Sequence, residues 1–276
     1  MHLKLSIQYD GTDFSGSQLQ PNGRTVQGEL EAALERLAGS PVRVALAGRT
    51  DAGVHAWRQV AGLDFPEKPG LDSPEAIMTA LNGVLPHDVA VTGAEIAPEG
   101  FHPRFSAKRR AYRYLLWHSP WPSPLLGRYS LYVRGRLDTE AMSRAAALFE
   151  GEHDFAAFAG SGMGVPGDER EGGPSTVRTV YEARMHRLDP GANCWAWDAP
   201  QPSDAPAEDD GSLWAIDLVA NAFLPQMIRT IVGTLLEVGR GKRTVESISE
   251  LIESRDRRLA GETARPHGLC LLWVEY

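Results

Sequence analysis

Three observations predict an α+β protein made of two ferredoxin-like units. The first is the order of hydrophobic periods in residues 1–103, which runs strand, helix, strand, strand, helix, strand, the β-α-β-β-α-β succession. The second is that residues 104–276 run a similar order again. The third is the opening alternation, in which Leu3, Leu5, Ile7 and Tyr9 interleave with Lys4, Ser6, Gln8 and Asp10, the mark of a half-buried strand. Two such β-α-β-β-α-β units, 1–103 and 104–276, can join edge to edge into one extended antiparallel sheet. Helices would cover one face and leave an open cleft on the other, because antiparallel sheets tolerate one uncovered side.

Each element has its own local reason. Asp10 to Gly16 is a loop by composition. Thr25 caps a helix whose stripe is Val26, Leu30, Ala33, Leu34 and Leu37, and Gly39 closes it. Val42 to Leu46 is a second strand and Gln59 to Phe65 a third. Ser73-Pro74-Glu75 is a cap, a first-turn proline and an N-terminal acid, opening a helix through Ile77, Ala80 and Leu81. Val89 to Ile96 is a fourth strand. In the later half, strands are expected at Tyr112 to Trp117, Thr176 to Arg187, Leu213 to Ala220 and Gly268 to Tyr276. Asp138 caps a helix along Met142, Ala145, Ala146 and Phe149. Two more helices follow, through Met227, Ile228, Ile231 and Leu235, and from Thr244 through Ile248, Leu251 and Ile252. Residues 189–211, rich in Pro, Ala, Asp and Glu, read as a mobile acidic excursion.

Composition narrows the class. Apolar residues make up 42% and charged residues 23% of the 276, the profile of a soluble globular protein. The N-terminus runs straight into a strand, so no signal peptide is read there, no apolar run approaches a membrane span, and a cytoplasmic location is expected. Cys194 and Cys270 form no paired motif and the eight histidines lack ligand spacing, so no metal is expected. A net charge of −8 counts against a nucleic-acid partner on a naive test, but local distribution decides. Arg104, Lys108, Arg109, Arg110 and Arg113 lie within twelve residues that hold no acid, while acids gather at Glu208-Asp209-Asp210.

Three stretches hold chemistry. Ala47-Gly48-Arg49-Thr50-Asp51-Ala52-Gly53-Val54-His55 sets an Arg and an Asp between two glycines on a loop after a strand, a placement that suits chemistry. An Arg–Asp ion pair in an ordinary turn fits the same residues. Phe105 to Tyr114 interleaves basic and aromatic residues, suited to phosphate neutralisation beside base stacking, or to a basic edge strand whose tyrosines pack on the core. Tyr112 and Tyr114 share a strand face, and Arg113 points the other way. Arg229 falls in the first turns of a helix, off its apolar stripe, where a cation opposes the helix dipole; it is either paired with an anion or solvated.

With these stretches the chain resembles the tRNA pseudouridine synthase A family along its whole length. The resemblance rests on Tyr9-Asp10-Gly11-Thr12, the Gly48 to His55 loop, Phe101-His102-Pro103-Arg104-Phe105-Ser106-Ala107, Tyr112-Arg113-Tyr114, and Asn221-Ala222-Phe223 through Met227-Ile228-Arg229. Departures are Ser17 where the family usually has Trp, Trp57-Arg58 where small residues are commoner, and Arg265-Pro266 for Ala-Pro. The resemblance implies isomerisation of uridine to pseudouridine at positions 38, 39 and 40 of the tRNA anticodon stem-loop, by a homodimer with no metal or organic cofactor. It implies that Asp51 is the catalytic aspartate, that Tyr112 is the active-site tyrosine stacking on the extruded uracil, and that Arg229 is the cation paired with the aspartate. It further implies that Arg49 meets phosphate or fills the space of the flipped nucleotide. The basic run then makes Arg104, Lys108, Arg109 and Arg110 phosphate contacts. A catalytically silent RNA-binding module on the same fold is the competing class, which the joint presence of Asp51, Tyr112 and Arg229 disfavours. An unrelated Asp-dependent hydrolase lacks a second carboxylate motif or a metal cluster.

Overall fold

In the computed structural model, which describes residues 1–160, 175–189, 194–195 and 211–276, the opening alternation folds as its period dictates. Strand β1 (His2–Tyr9) buries Leu3, Leu5, Ile7 and Tyr9 and turns the intervening residues outward. Helix α1 (Val26–Ala38) starts where the Thr25 side chain accepts from Gly28 N–H, and it stops at Gly39, which takes the left-handed conformation. Strands β2 (Val44–Leu46) and β3 (His55–Asp64) come next. Helix α2 (Pro74–Val84) is capped by Ser73 and buries Ile77 and Leu81, and β4 (Val89–Ile96) follows it. β1 lies between β3 and β4, antiparallel to both, and β2 pairs with the far side of β3. α2 packs on β4, and Asn82 ties the two by giving its amide N–H to Val91 O and taking Val91 N–H, both at 2.8 Å.

β3 begins four residues earlier than its composition suggests. His55-Ala56-Trp57-Arg58 lacks alternation, yet Ala56 is held against Tyr9 on one side and Leu271 on the other. Pairing partners, supplied by distant chain, extend the strand back to the end of the loop.

The loop before α1 is anchored by Arg24. Its guanidinium meets Asp88 through two hydrogen bonds of 2.6 and 2.8 Å, reaches Glu29 at 2.6 Å, and lies 4.2 Å over the Phe14 ring. The Arg24 hydrogen bonds hold the Asp88 carboxyl below the usual carboxylate range. A lowered folded pKa stabilises above the unfolded value of about 4 and loses that contribution as pH falls through the folded one. Arg24→Ala should therefore cost about 1–2 kcal/mol at neutral pH, the figure being modest because Arg24 stays about one-third exposed. Melting curves should show the gap to wild type closing as the solution is acidified below about pH 4, the unfolded carboxylate value.

The chain divides into two compact units, Met1–Arg110 with Cys270–Tyr276, and Ala111–Leu269. The second unit contains most of β5 (Arg109–His118), then β6 (Leu131–Val133), α3 (Thr139–Ala147), β7 (Gly151–Asp154), β8 (Val177–Leu188), β9 (Ser212–Ala220), α4 (Met227–Gly239) and α5 (Ser247–Ser254). Its strands run in the order β5-β9-β8-β7, with β6 parallel to β5. Asp138 caps α3 as expected, and α3 packs on β8 and α4. β6 and β7 are three and four residues long, too short for a period of two to register. The last strand, β10 (Leu269–Glu275), pairs in parallel with β3 through Cys270–His55 and Leu271–Ala56. The class is α+β with mostly antiparallel pairing, as the element order predicts.

Two expectations are corrected. β5 is not the basic edge strand that its residues also fit: β9 and β6 both pair with it, and from Arg110 to Leu116 both faces are buried. Arg113, at 0% exposure, donates to both Asp217 carboxylate oxygens at 2.7 and 2.8 Å and to Cys194 O at 2.8 Å. The acidic excursion is also not free throughout. Residues 190–193 and 196–210 lie outside the described residues, but Cys194 and Trp195 pack on the cluster of Leu115, Leu188, Leu213 and Ala215. No described helix is long and apolar enough to cross a membrane.

Candidate active site

In the first unit the Gly48–His55 loop joins β2 to β3 and is held from beneath by buried polar side chains. Gln59, fully buried, gives its amide N–H to Gly48 O at 2.9 Å and accepts Gly48 N–H at 3.3 Å. Thr50 N–H donates to Ser17 Oγ at 2.8 Å, and Ser17 N–H returns a bond to Thr50 O at 3.0 Å. The Tyr9 hydroxyl meets Thr50 Oγ1 at 2.8 Å. Burial pushes the Tyr9 phenol up to about 12, which keeps its proton in place for this network. Asp51 O accepts Val54 N–H at 3.1 Å, closing the turn, and Gly53 takes φ 79° there. Gly48, by contrast, is not in the left-handed region. Gly11 passes so close beneath Val54 that an added Cβ would sit 2.0 Å from its carbonyl oxygen, so no other residue fits. Gly11 N–H donates to buried His55 Nδ1 at 3.0 Å, with Asp10 Oδ1 3.2 Å from the same nitrogen.

The result is a carboxylate on a stiff base. Asp51 is half-buried, with Arg49 exposed two residues away on the same loop. Each supporting hydrogen bond contributes only ~0.5–1.5 kcal/mol net. Their effect is geometric, since both sides of Asp51 are tied to strands that cannot shift independently. Tyr9 belongs to a motif that carries the family resemblance, but nothing in the sequence marks Tyr9, Ser17 or Gln59 as supports of the Asp51 loop. Gln59 opens the apolar run Val60 to Leu63, and periodicity alone reads it as an ordinary strand residue.

The basic stretch divides in two. Arg104, Lys108 and Arg109 are exposed, and Arg109 Nε lies 3.8 Å from Glu275 Oε2. Arg110 is buried, with its Nη2 donating to Arg104 O at 2.8 Å and to Ala47 O at 3.2 Å, so its guanidinium braces the base of the Asp51 loop. Trp57 is half-buried beside exposed Arg58.

In the second unit Tyr112 is 6% exposed, and its ring meets Phe223 edge-on with centroids 5.2 Å apart. That contact brings the Tyr112 strand to the Asn221-Ala222-Phe223 segment just before α4. Arg229, in the first turn of α4, is half-buried and gives Nε–H to Ala264 O at 2.8 Å while its own carbonyl accepts Ala264 N–H at 3.0 Å. The helix start thus fixes where the guanidinium emerges. Among the described residues no group of three or more His, Cys, Asp or Glu could hold a metal ion.

A family model described as tRNA pseudouridine synthase matches residues 5–106 and 145–276. A tRNA pseudouridine synthase A of Roseiflexus sp. (strain RS-1) is 44% identical over 275 residues, covering 100% of this chain and 90% of its own length. Another so named, from Chloroflexus aurantiacus, is 45% identical over 274 residues, covering 99% of this chain and 88% of its own. A third, from Geotalea uraniireducens, is 40% identical over 275 residues, covering 99% of both. With the matched model spanning the Asp51 loop and the α4 segment, this chain belongs to the tRNA pseudouridine synthase family of isomerases.

Proposed function

We propose that the protein converts uridine to pseudouridine at positions 38, 39 and 40 of the anticodon stem-loop of tRNAs. The observation that carries this reading is the Asp51 loop, a half-buried carboxylate braced on three sides by buried Gln59, Thr50 and Arg110, with exposed Arg49 beside it. In the reaction the bond from ribose C1′ to uracil N1 breaks and a bond from C1′ to C5 forms. The C5 proton leaves and N1 takes one up, so no electron is gained or lost and no redox partner is required. Asp51 is the catalytic group, since an anion beside the anomeric carbon stabilises or traps the positive charge that builds there. Tyr112 stacks on the uracil after the nucleotide is extruded, at a cost of a few kcal/mol, and Arg229 is the cation that pairs with the aspartate. Arg49, Arg104, Lys108 and Arg109 are exposed and contact phosphates, Arg109 from beside Glu275, whereas Arg110 acts by bracing the loop. The family resemblance supports a cytoplasmic homodimer working without metal or cofactor.

The test uses tRNA transcripts tritiated at uridine C5, because isomerisation leaves mass unchanged and releases the label. Release should occur from a transcript with uridine at 38–40 and cease when those positions carry cytidine or adenosine. Release that persists without them would move the target elsewhere, and no release from any tRNA would overturn the activity.

A further inference from the structure

We infer that Phe105 is a stacking shelf for an unpaired base of the bound RNA, an inference that rests on the proposal that the substrate is RNA. Phe105 is 78% exposed in a chain that buries Phe14, Phe65, Phe149, Phe155 and Phe158. It is not loose. The turn from His102 to Ser106 closes on itself, with His102 N–H donating to Ser106 Oγ at 3.0 Å and Ser106 N–H to His102 O at 2.9 Å. The His102 imidazole is pinned inside that turn, its Nδ1 accepting the N–H groups of Arg104 and Phe105 at 3.2 and 3.3 Å. The Phe105 ring lies on this imidazole with centroids 4.4 Å apart and planes 32° from parallel. One ring face is therefore backed and oriented, and the ring as a whole stands in solvent. The Arg104 guanidinium is 5.7 Å from its centroid.

The surroundings decide what occupies the ring. A protein partner would need a contiguous apolar patch, but the ring's contacts are His102 and exposed Arg104, and exposed Lys108 follows three residues on in the chain. A lone preoriented aromatic set among cations is the arrangement that binds single-stranded nucleic acid, where each base offers a π-face and each linkage a phosphate. A nucleotide unpaired in the loop, or released when the target is extruded, meets that description.

The experiment measures tRNA affinity of the full-length protein across a salt series. Phe105→Leu keeps apolar bulk but removes the ring face, and should weaken binding roughly tenfold at every salt concentration. The slope of log K against log salt should stay unchanged, because a base stack releases no counterion. Phe105→Trp should restore wild-type affinity, and the melting temperature of both variants should match wild type, since the ring is exposed. Lys108→Ala is the contrasting variant, expected to flatten the slope by up to about one unit. Phe105→Leu binding within twofold of wild type at all salts would overturn the inference. So would a changed oligomeric state of the RNA-free variant with tRNA affinity intact, which would make the ring a contact between copies. If the wild-type protein fails to bind tRNA at any salt, the RNA reading itself falls, an outcome separable from a Phe105 effect that is merely absent.

Discussion

Asp51→Asn is expected to abolish isomerisation while leaving tRNA bound and the protein folded. The substitution keeps the shape and most of the hydrogen-bonding capacity of the side chain but removes the charge that meets developing positive charge on the ribose. The backbone of the loop is held by Gln59, Ser17 and the Tyr9–Thr50 pair, and asparagine matches aspartate in size. Folding should therefore be indifferent to the change. Binding should persist as well, because phosphate contacts from exposed arginines and lysines supply most of it. Turnover should fall by roughly 10⁴-fold or more, the scale seen when a core catalytic group is lost. Tritium release from C5-labelled tRNA, measured with excess variant under single-turnover conditions, decides the question. A rate within about tenfold of wild type, with binding intact, would remove Asp51 from the chemistry.

The largest effect on stability should come from Asp217→Leu. Asp217 is fully buried on β9, holds Arg113 in a two-bond fork, and has Arg184 Nε at 3.2 Å and His186 Nε2 at 3.7 Å. Arg113 has no exposure at all, so removing its carboxylate strands a guanidinium in the sheet interior. Breaking a buried pair in this way costs roughly 3–5 kcal/mol. For a chain of this size that is a drop of about 10 °C in melting temperature, at ~2–4 °C per kcal/mol. The double variant Arg113→Met with Asp217→Leu should recover much of the loss, since apolar residues of similar volume replace a buried pair at little cost. A single-variant melting temperature within 2 °C of wild type would show that water reaches the pair. The same carboxylate bears on pH. Burial pushes His186 down to about 4 despite Asp217 beside it. A lowered folded value for a base disfavours the folded state once the group must charge, so His186 should add to acid destabilisation between about pH 6.5 and 4.

How much of this was legible in the chain depends on whether the cause was local. β1, α1, α2 and α3 follow from period and caps: the alternation of Leu3, Leu5 and Ile7, and the side chains of Thr25, Ser73 and Asp138 accepting the N–H groups they were expected to accept. These are interactions within a few residues, so sequence spacing encodes them directly. The Asp51 loop and the order of elements are read in the same way, and so is the family, whose motifs are contiguous. What the chain alone does not show is set by residues far apart. Arg113 reads as one more cation in a basic run, and only its meeting with Asp217, 104 positions on, turns it into interior structure. Arg110 becomes a brace rather than a surface charge through Ala47, 63 positions earlier. β3 reaches back to His55, and the final strand lies beside it in the first unit, because parallel pairing at Cys270 joins segments more than 200 residues apart. Sequence determined the helices, their caps, the longer strands and the identity of the loop. Tertiary structure decided which charges are free to meet a ligand, because burial is a property of what packs over a side chain and the local chain carries no record of it.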